Sequence, residues 1–112
     1  MGLMDLLGRK VSDELEPAQV EERQAAGALL IDVREDFEYR DGHAPGAKLI
    51  PLGKLSQQLP KLAKDREVLF ICQSGSRSGA ATKLARRAGF TKAFNVRGGM
   101  NAWARAGLPI KR

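Results

Sequence analysis

Cys72 is the one cysteine in the 112-residue chain, and the residues around it suit a nucleophile. It ends the apolar run Val68-Leu69-Phe70-Ile71 and opens the polar loop Gln73-Ser74-Gly75-Ser76-Arg77; a helical pattern then runs from Ser78 to Ala88. Strand, tight loop and helix in that order direct backbone N–H groups and a helix N-terminus at one point. A thiol placed there loses its proton more easily, because those dipoles stabilise the thiolate. A loop curled around a thiolate makes a nest of N–H groups for negative charge. Gly75 allows a backbone angle other residues resist, Ser74 and Ser76 add small hydroxyl donors, and Arg77 closes the loop with a planar, charged fork. Such a cradle can hold an extra sulfur on the cysteine as an anionic persulfide, or an oxyanion substrate. A cysteine on a core strand is otherwise an inert buried thiol; the loop and helix behind Cys72 favour the catalytic reading.

The elements that must position this loop are legible as alternating strands and helices. Residues 28–33, 48–50, 68–72 and 93–96 read as strands, and the run Ala28-Leu29-Leu30-Ile31-Asp32-Val33 has the near-continuous apolar character of a strand buried on both faces. Helical patterns cover 17–26, starting at Pro17, and 55–63, with Pro60 a mark against its continuity. Phe37 to Arg40 reads as one helical turn. Ala81, Leu84, Ala85 and Ala88 form one face of the helix after the loop, which Gly89 caps. Gly98-Gly99 turns the chain into a last helix, 100–106. This alternation predicts an α/β domain with a mostly parallel sheet covered on both faces. Ligands of such sheets bind beyond the carboxyl ends of the strands, where Cys72, Asp32 and Arg34 all fall. Residues 1–10 read as a short N-terminal extension and 11–112 as a single domain.

Bulk properties narrow the function further. Residues 1–60 hold 7 Lys/Arg against 11 Asp/Glu, whereas residues 61–112 hold 12 Lys/Arg against 2 Asp/Glu. Cys72 lies in the basic half, whose field favours a thiolate and draws in small anions. Few aromatics and no long basic run argue against a nucleic-acid surface. One cysteine excludes an internal disulfide, and one histidine with one cysteine builds no metal site. No signal peptide and no membrane-length apolar stretch is read, so a soluble cytoplasmic protein is expected.

Three segments, in order, resemble the single-domain rhodaneses, a family of sulfurtransferases. They are Asp32-Val33-Arg34 followed by Glu38-Tyr39 and Gly42-His43-Ala44-Pro45-Gly46-Ala47; the loop Cys72-Gln73-Ser74-Gly75-Ser76-Arg77-Ser78; and Gly98-Gly99-Met100 with Trp103 and Gly107-Leu108-Pro109. The resemblance implies a rhodanese-like, five-stranded parallel sheet with helices on both sides. It implies that Cys72 carries a persulfide, that Gln73, Ser74, Gly75, Ser76, Arg77 and Ser78 form the substrate-binding cradle, and that no cofactor is needed. A small anionic sulfur donor, such as thiosulfate or a persulfide, would load the cysteine. Cyanide in an assay, or a thiol or sulfur-carrier protein in the cell, would unload it. A relay module that hands persulfide to a partner is the nearest alternative. Gln73 stands where thiosulfate-using members often have Arg, and Leu49 where many have Asn or another polar residue.

Four residues separate Cys72 from Arg77, one fewer than in the related cell-cycle phosphatases and arsenate reductases, whose wider nests fit phosphate or arsenate. Phosphoryl transfer profits from a general acid, and because no carboxylate side chain follows Glu67 it would have to be Asp32, Asp36 or Asp41. Asp32, Arg34 and Glu38 are expected to form one ion-paired network that fixes a loop, with an electrostatic role open for Arg34. His43 reads as part of a structural turn, and Trp103 as core.

Overall fold

Hydrogen-bonding of the buried backbone organises the molecule around one sheet. The computed structural model describes residues 13–112, so the expected extension over residues 1–10 lies outside the described residues. Five strands, β1 (Glu14–Leu15), β2 (Leu29–Asp32), β3 (Lys48–Leu49), β4 (Val68–Ile71) and β5 (Ala93–Val96), pair in the order β1-β5-β4-β2-β3. Every pairing is parallel. The helices are α1 (Val20–Ala25), α2 (Asp36–Asp41), α3 (Leu55–Gln58), α4 (Ser76–Arg87) and α5 (Gly99–Arg105).

β4 is central and buried along its whole length. Its side chains alternate between two cores. Val68, Phe70 and Cys72 join Leu55, Leu59, Ala81 and Ala85 on the face covered by α3 and α4. Leu69 and Ile71 join Val20, Met100 and Trp103 on the face covered by α1 and α5. This period of two decides where the thiol points: Cys72 faces α4, whose N-terminus follows the loop. Small residues, Ala81 and Ala85, face the sheet and let α4 pack closely against it.

Three sequence expectations change. β1 was not read as a strand, because two residues carry no periodicity. It is held by backbone bonds at its ends, Asn95 N–H to Asp13 O (2.7 Å) and Arg97 N–H to Leu15 O (2.8 Å). α4 begins at Ser76, two residues inside the expected loop, with Gly75 as its N-cap at φ 98°. The helix expected over 55–63 is only α3 followed by a 3₁₀ turn, Leu59–Lys61, which places Pro60 in the first turn of that element, where its missing N–H costs nothing. Among the described residues no helix is long and apolar enough to cross a membrane.

The two phenylalanines at opposite extremes of burial make the packing testable. Phe70→Ala is expected to lower stability by about 3–5 kcal/mol, whereas Phe37→Ala, 74% exposed, should stay within about 0.5 kcal/mol of the parent. Equal losses in urea denaturation would contradict this placement of the core.

Candidate active site

Cys72 exposes none of its surface, and its sulfur is the focus of the loop. Sγ accepts hydrogen bonds from Gly75 N–H (3.1 Å) and Ser78 N–H (3.3 Å), and the Ser78 hydroxyl lies 3.2 Å away. Burial pushes the thiol up, but donation from the Ser78 hydroxyl, then from the N–H groups of Ser78, Gly75 and Ser74, outweighs it and holds the group below its ordinary value. Thr82 Oγ1 in turn donates to Ser78 O (2.8 Å), fixing the first turn of α4. Ser76 and Arg77 open that helix, so their N–H groups have no intrahelical carbonyl to bond.

The loop is held in this shape from behind. Met100 N–H donates to Cys72 O (2.8 Å) and Asn101 N–H to Gln73 O (3.0 Å). The first turn of α5 thereby takes the loop carbonyls that would otherwise be free to turn toward the sulfur. Such close approach requires glycine. A Cβ on Gly99, at φ +57°, would sit 2.3 Å from Cys72 O and 2.7 Å from the Gln73 carbonyl carbon. A Cβ on Gly75 would meet Gly98 N at 3.1 Å. Gly98-Gly99, expected only to turn the chain, is thus the buttress of the loop.

Charge around the loop is arranged in two separate pairs, not the single Asp32–Arg34–Glu38 network expected. Asp32, fully buried, accepts from Arg34 N (3.0 Å), Nε (3.0 Å) and Nη2 (2.9 Å). Arg34 also reaches Gly42 O (2.7 Å) and Gln73 Oε1 (3.0 Å), and Gln73 Nε2 donates to Asn101 Oδ1 (2.7 Å). Glu38 instead grips Arg77 through two bonds of 2.8 and 2.9 Å. That grip pulls the Glu38 carboxyl from its ordinary 4.5 down to about 2, against a smaller upward push from burial. A depressed carboxylate stabilises the fold above its unfolded value, and the stabilisation fades as pH falls from about 4.5 toward 2. The fork of Arg77 is therefore shared with a carboxylate at neutral pH.

The family model of the rhodanese-like domain matches residues 16–106. The chain belongs to the rhodanese-like family. Among the proteins it resembles is a sulfurtransferase of Allochromatium vinosum, 39% identical over 73% of this chain and 77% of that protein. Among solved structures, a rhodanese-related protein of Thermoplasma volcanium superposes with a TM-score of 0.80 at 30% identity, covering 88% of this chain and 96% of that one. The human single-domain sulfurtransferase TSTD1 does so at 0.78 and 31% identity, covering 85% and 97%.

Within this rhodanese-like domain, two adjoining cavities of about 300 and 490 Å³ share Arg34, Glu38, Asp41 and Gln73. Gln73 is thus the residue of the cysteine loop that lines both cavities. Of the three carboxylates considered as general acids, Asp32 is locked to Arg34 and Asp36 is paired with Arg40 (2.8 Å); Asp41 alone lines both cavities. His43 stacks on Tyr39, ring centroids 3.7 Å apart, and its Nδ1 bonds Tyr39 O (2.8 Å), which braces the turn. Trp103 is buried, with Nε1 donating to Pro109 O (2.8 Å). Sequence reading overlooked Asn95 and Asn101. The signal for Asn95 was present: a lone amide inside the apolar strand Ala93-Phe94-Asn95-Val96 must find partners when buried.

Gly99→Ala and Gly107→Ala separate backbone strain from collision. Gly107 has φ +72° with nothing within 4 Å of a Cβ, so alanine there should cost about 1–2 kcal/mol. Gly99→Ala should cost at least about 3 kcal/mol and raise the Cys72 titration midpoint. Equal costs by urea denaturation would remove Gly99 from its supporting role.

Proposed function

We propose that this rhodanese-like domain is a sulfurtransferase that carries a sulfane sulfur on Cys72. The observation that carries the reading is the convergence of two backbone N–H groups and one hydroxyl on Sγ at the N-terminus of a twelve-residue helix. That arrangement stabilises a thiolate nucleophile. The Cys72 thiolate attacks the outer sulfur of a donor such as thiosulfate. A new Sγ–S bond forms, the donor's S–S bond breaks, and sulfite leaves with the electron pair. Negative charge then sits on the outer sulfur, where the α4 dipole and the N–H groups left without intrahelical partners in its first turn stabilise it. An acceptor nucleophile next attacks that outer sulfur, and Sγ departs as the thiolate, closing the cycle. Cys72 exposes no surface, so loading requires movement around the loop.

Gln73, tied between Arg34 and Asn101, presents no cation to a donor. This favours a persulfide over thiosulfate as the better donor. The acceptor in the cell is a thiol or a sulfur-carrier protein, approaching over the cavities beside Gln73. A reduced cysteine that works as a nucleophile fits the reducing cytoplasm.

Intact mass of the protein before and after thiosulfate or glutathione persulfide, beside Cys72→Ser, is the direct test. The parent should gain one sulfur atom and lose it to cyanide as thiocyanate, while the variant gains nothing. Absence of any gain with either donor would sink the proposal. Arg77→Ala should lower kcat/KM for thiosulfate about ten- to a hundredfold. It should change stability by no more than about 1 kcal/mol, since its ion pair is partly exposed. Unchanged thiosulfate kinetics would strip Arg77 of its assigned role.

A further inference from the structure

The Ser78 hydroxyl has one proton and two acceptors. Its Oγ lies 3.2 Å from Cys72 Sγ and 2.6 Å from Asn95 Oδ1. The Asn95 amide cannot turn to resolve the conflict, because Nδ2 donates to Glu14 Oε2 (3.1 Å) and Gly75 O (3.2 Å). Its oxygen is therefore fixed toward Ser78 as an acceptor. Cys72 and Ser78 are fully buried and Asn95 is 5% exposed, so bulk water does not compete for these groups.

We propose that Asn95 is a positioning residue: its side-chain oxygen competes with Cys72 Sγ for the single proton of the Ser78 hydroxyl, so that the hydroxyl turns to sulfur only while that sulfur carries the negative charge. With a protonated thiol, S–H donates to Ser78 Oγ and Ser78 O–H donates to Asn95, and every group in the chain is satisfied. With a thiolate, Ser78 O–H turns to Sγ and the buried Asn95 oxygen loses its donor, at a cost. Asn95 thus opposes the stabilisation that Ser78 provides. The catalytic consequence rests on the sulfur-transfer reading. Once the outer sulfur bears the charge, Sγ no longer needs the proton and Asn95 takes it back; when the acceptor removes that sulfur, the hydroxyl returns to the departing thiolate.

Charged groups near this chain come from four elements. Arg77 of α4 is paired with Glu38 of α2, and Asp32 with Arg34 at the end of β2. Glu14 of β1, itself 3.3 Å from Arg97, accepts from the far side of Asn95. Substituting Ser78 leaves all of them in place, whereas Asn95→Leu also removes the Nδ2 bonds to Glu14 Oε2 and Gly75 O; that loss is common to both Ser78 backgrounds, so a double-mutant cycle cancels it and isolates the hydroxyl.

The test titrates Cys72 in the free protein by its thiolate ultraviolet absorbance and by the pH dependence of iodoacetamide alkylation. It needs no sulfur donor, so it can fail or succeed independently of the sulfur-transfer proposal. Ser78→Ala should raise the midpoint by about one pKa unit, tenfold in thiolate at a given pH. Asn95→Leu should lower it by up to about the same amount, and that lowering should disappear in the Ser78→Ala background. A rise in Asn95→Leu, or the same shift in both backgrounds, overturns the proposal. The unaltered protein provides a second readout that survives a variant's failure to fold. The Asn95 side-chain carbonyl carbon shift in NMR should titrate together with Cys72, because the oxygen gains and loses its donor. A flat trace through the Cys72 midpoint would also overturn it.

Discussion

The loop around Cys72 depends on two hydrogen bonds that do not touch the sulfur. Met100 and Asn101 N–H groups take the carbonyls of Cys72 and Gln73. A trans peptide unit places its N–H opposite its C=O. Anchoring the Gln73 carbonyl to the back of the loop therefore turns the Ser74 N–H toward the cysteine, which it helps to hold below its ordinary titration range. The cradle is thus built by a helix that contributes no atom to it, and Gly99 is glycine because that helix must approach to within van der Waals contact of the loop backbone. In this fold the link from sequence to chemistry runs through the absence of a side chain.

The same economy governs the charges. Ion pairs in a poorly solvated rim are tolerated when each partner is fully satisfied, and costly when one is removed. Asp32 and Arg34 meet that condition and leave Arg34 with donors to spare for Gly42 and Gln73. That places a fixed cation beside the loop without exposing a free guanidinium to solvent. Glu38 neutralises Arg77 from the neighbouring helix, in a pair that is partly exposed. The loop is consequently surrounded by neutralised pairs, so the state of the thiol is set mainly by short hydrogen bonds, not by a long-range field. The strongly basic balance of residues 61–112 sets the field over that half of the surface rather than how the sulfur is held.

Much of the architecture was legible because the strands that carry it are long apolar runs. Leu29–Asp32 and Val68–Ile71 could hardly be anything but buried parallel strands. β1 was missed because two residues have no period and their pairing is supplied by β5. The start of α4 was misplaced by two residues because Ser76 and Arg77 look like loop chemistry; the left-handed Gly75 before them starts the helix earlier. The assignment of ion pairs went wrong for a different reason. Asp32, Arg34 and Glu38 are close in sequence, but Arg77, 39 residues beyond Glu38, is closer in space.

By itself the sequence determined the alternation of strand and helix, the position of Cys72 at the carboxyl end of a central strand, and the glycine, serine and arginine residues that follow it. These are local properties: apolar periodicity, turn chemistry and residue type act within a few positions. Only the tertiary structure decided which donors reach the sulfur, which carboxylate holds Arg77, and that Asn95 meets Ser78. Those contacts join residues on different elements, 17 positions apart for Ser78 and Asn95 and 81 for Asn95 and Glu14. Their distances follow from how the sheet stacks its neighbours, which no local pattern encodes.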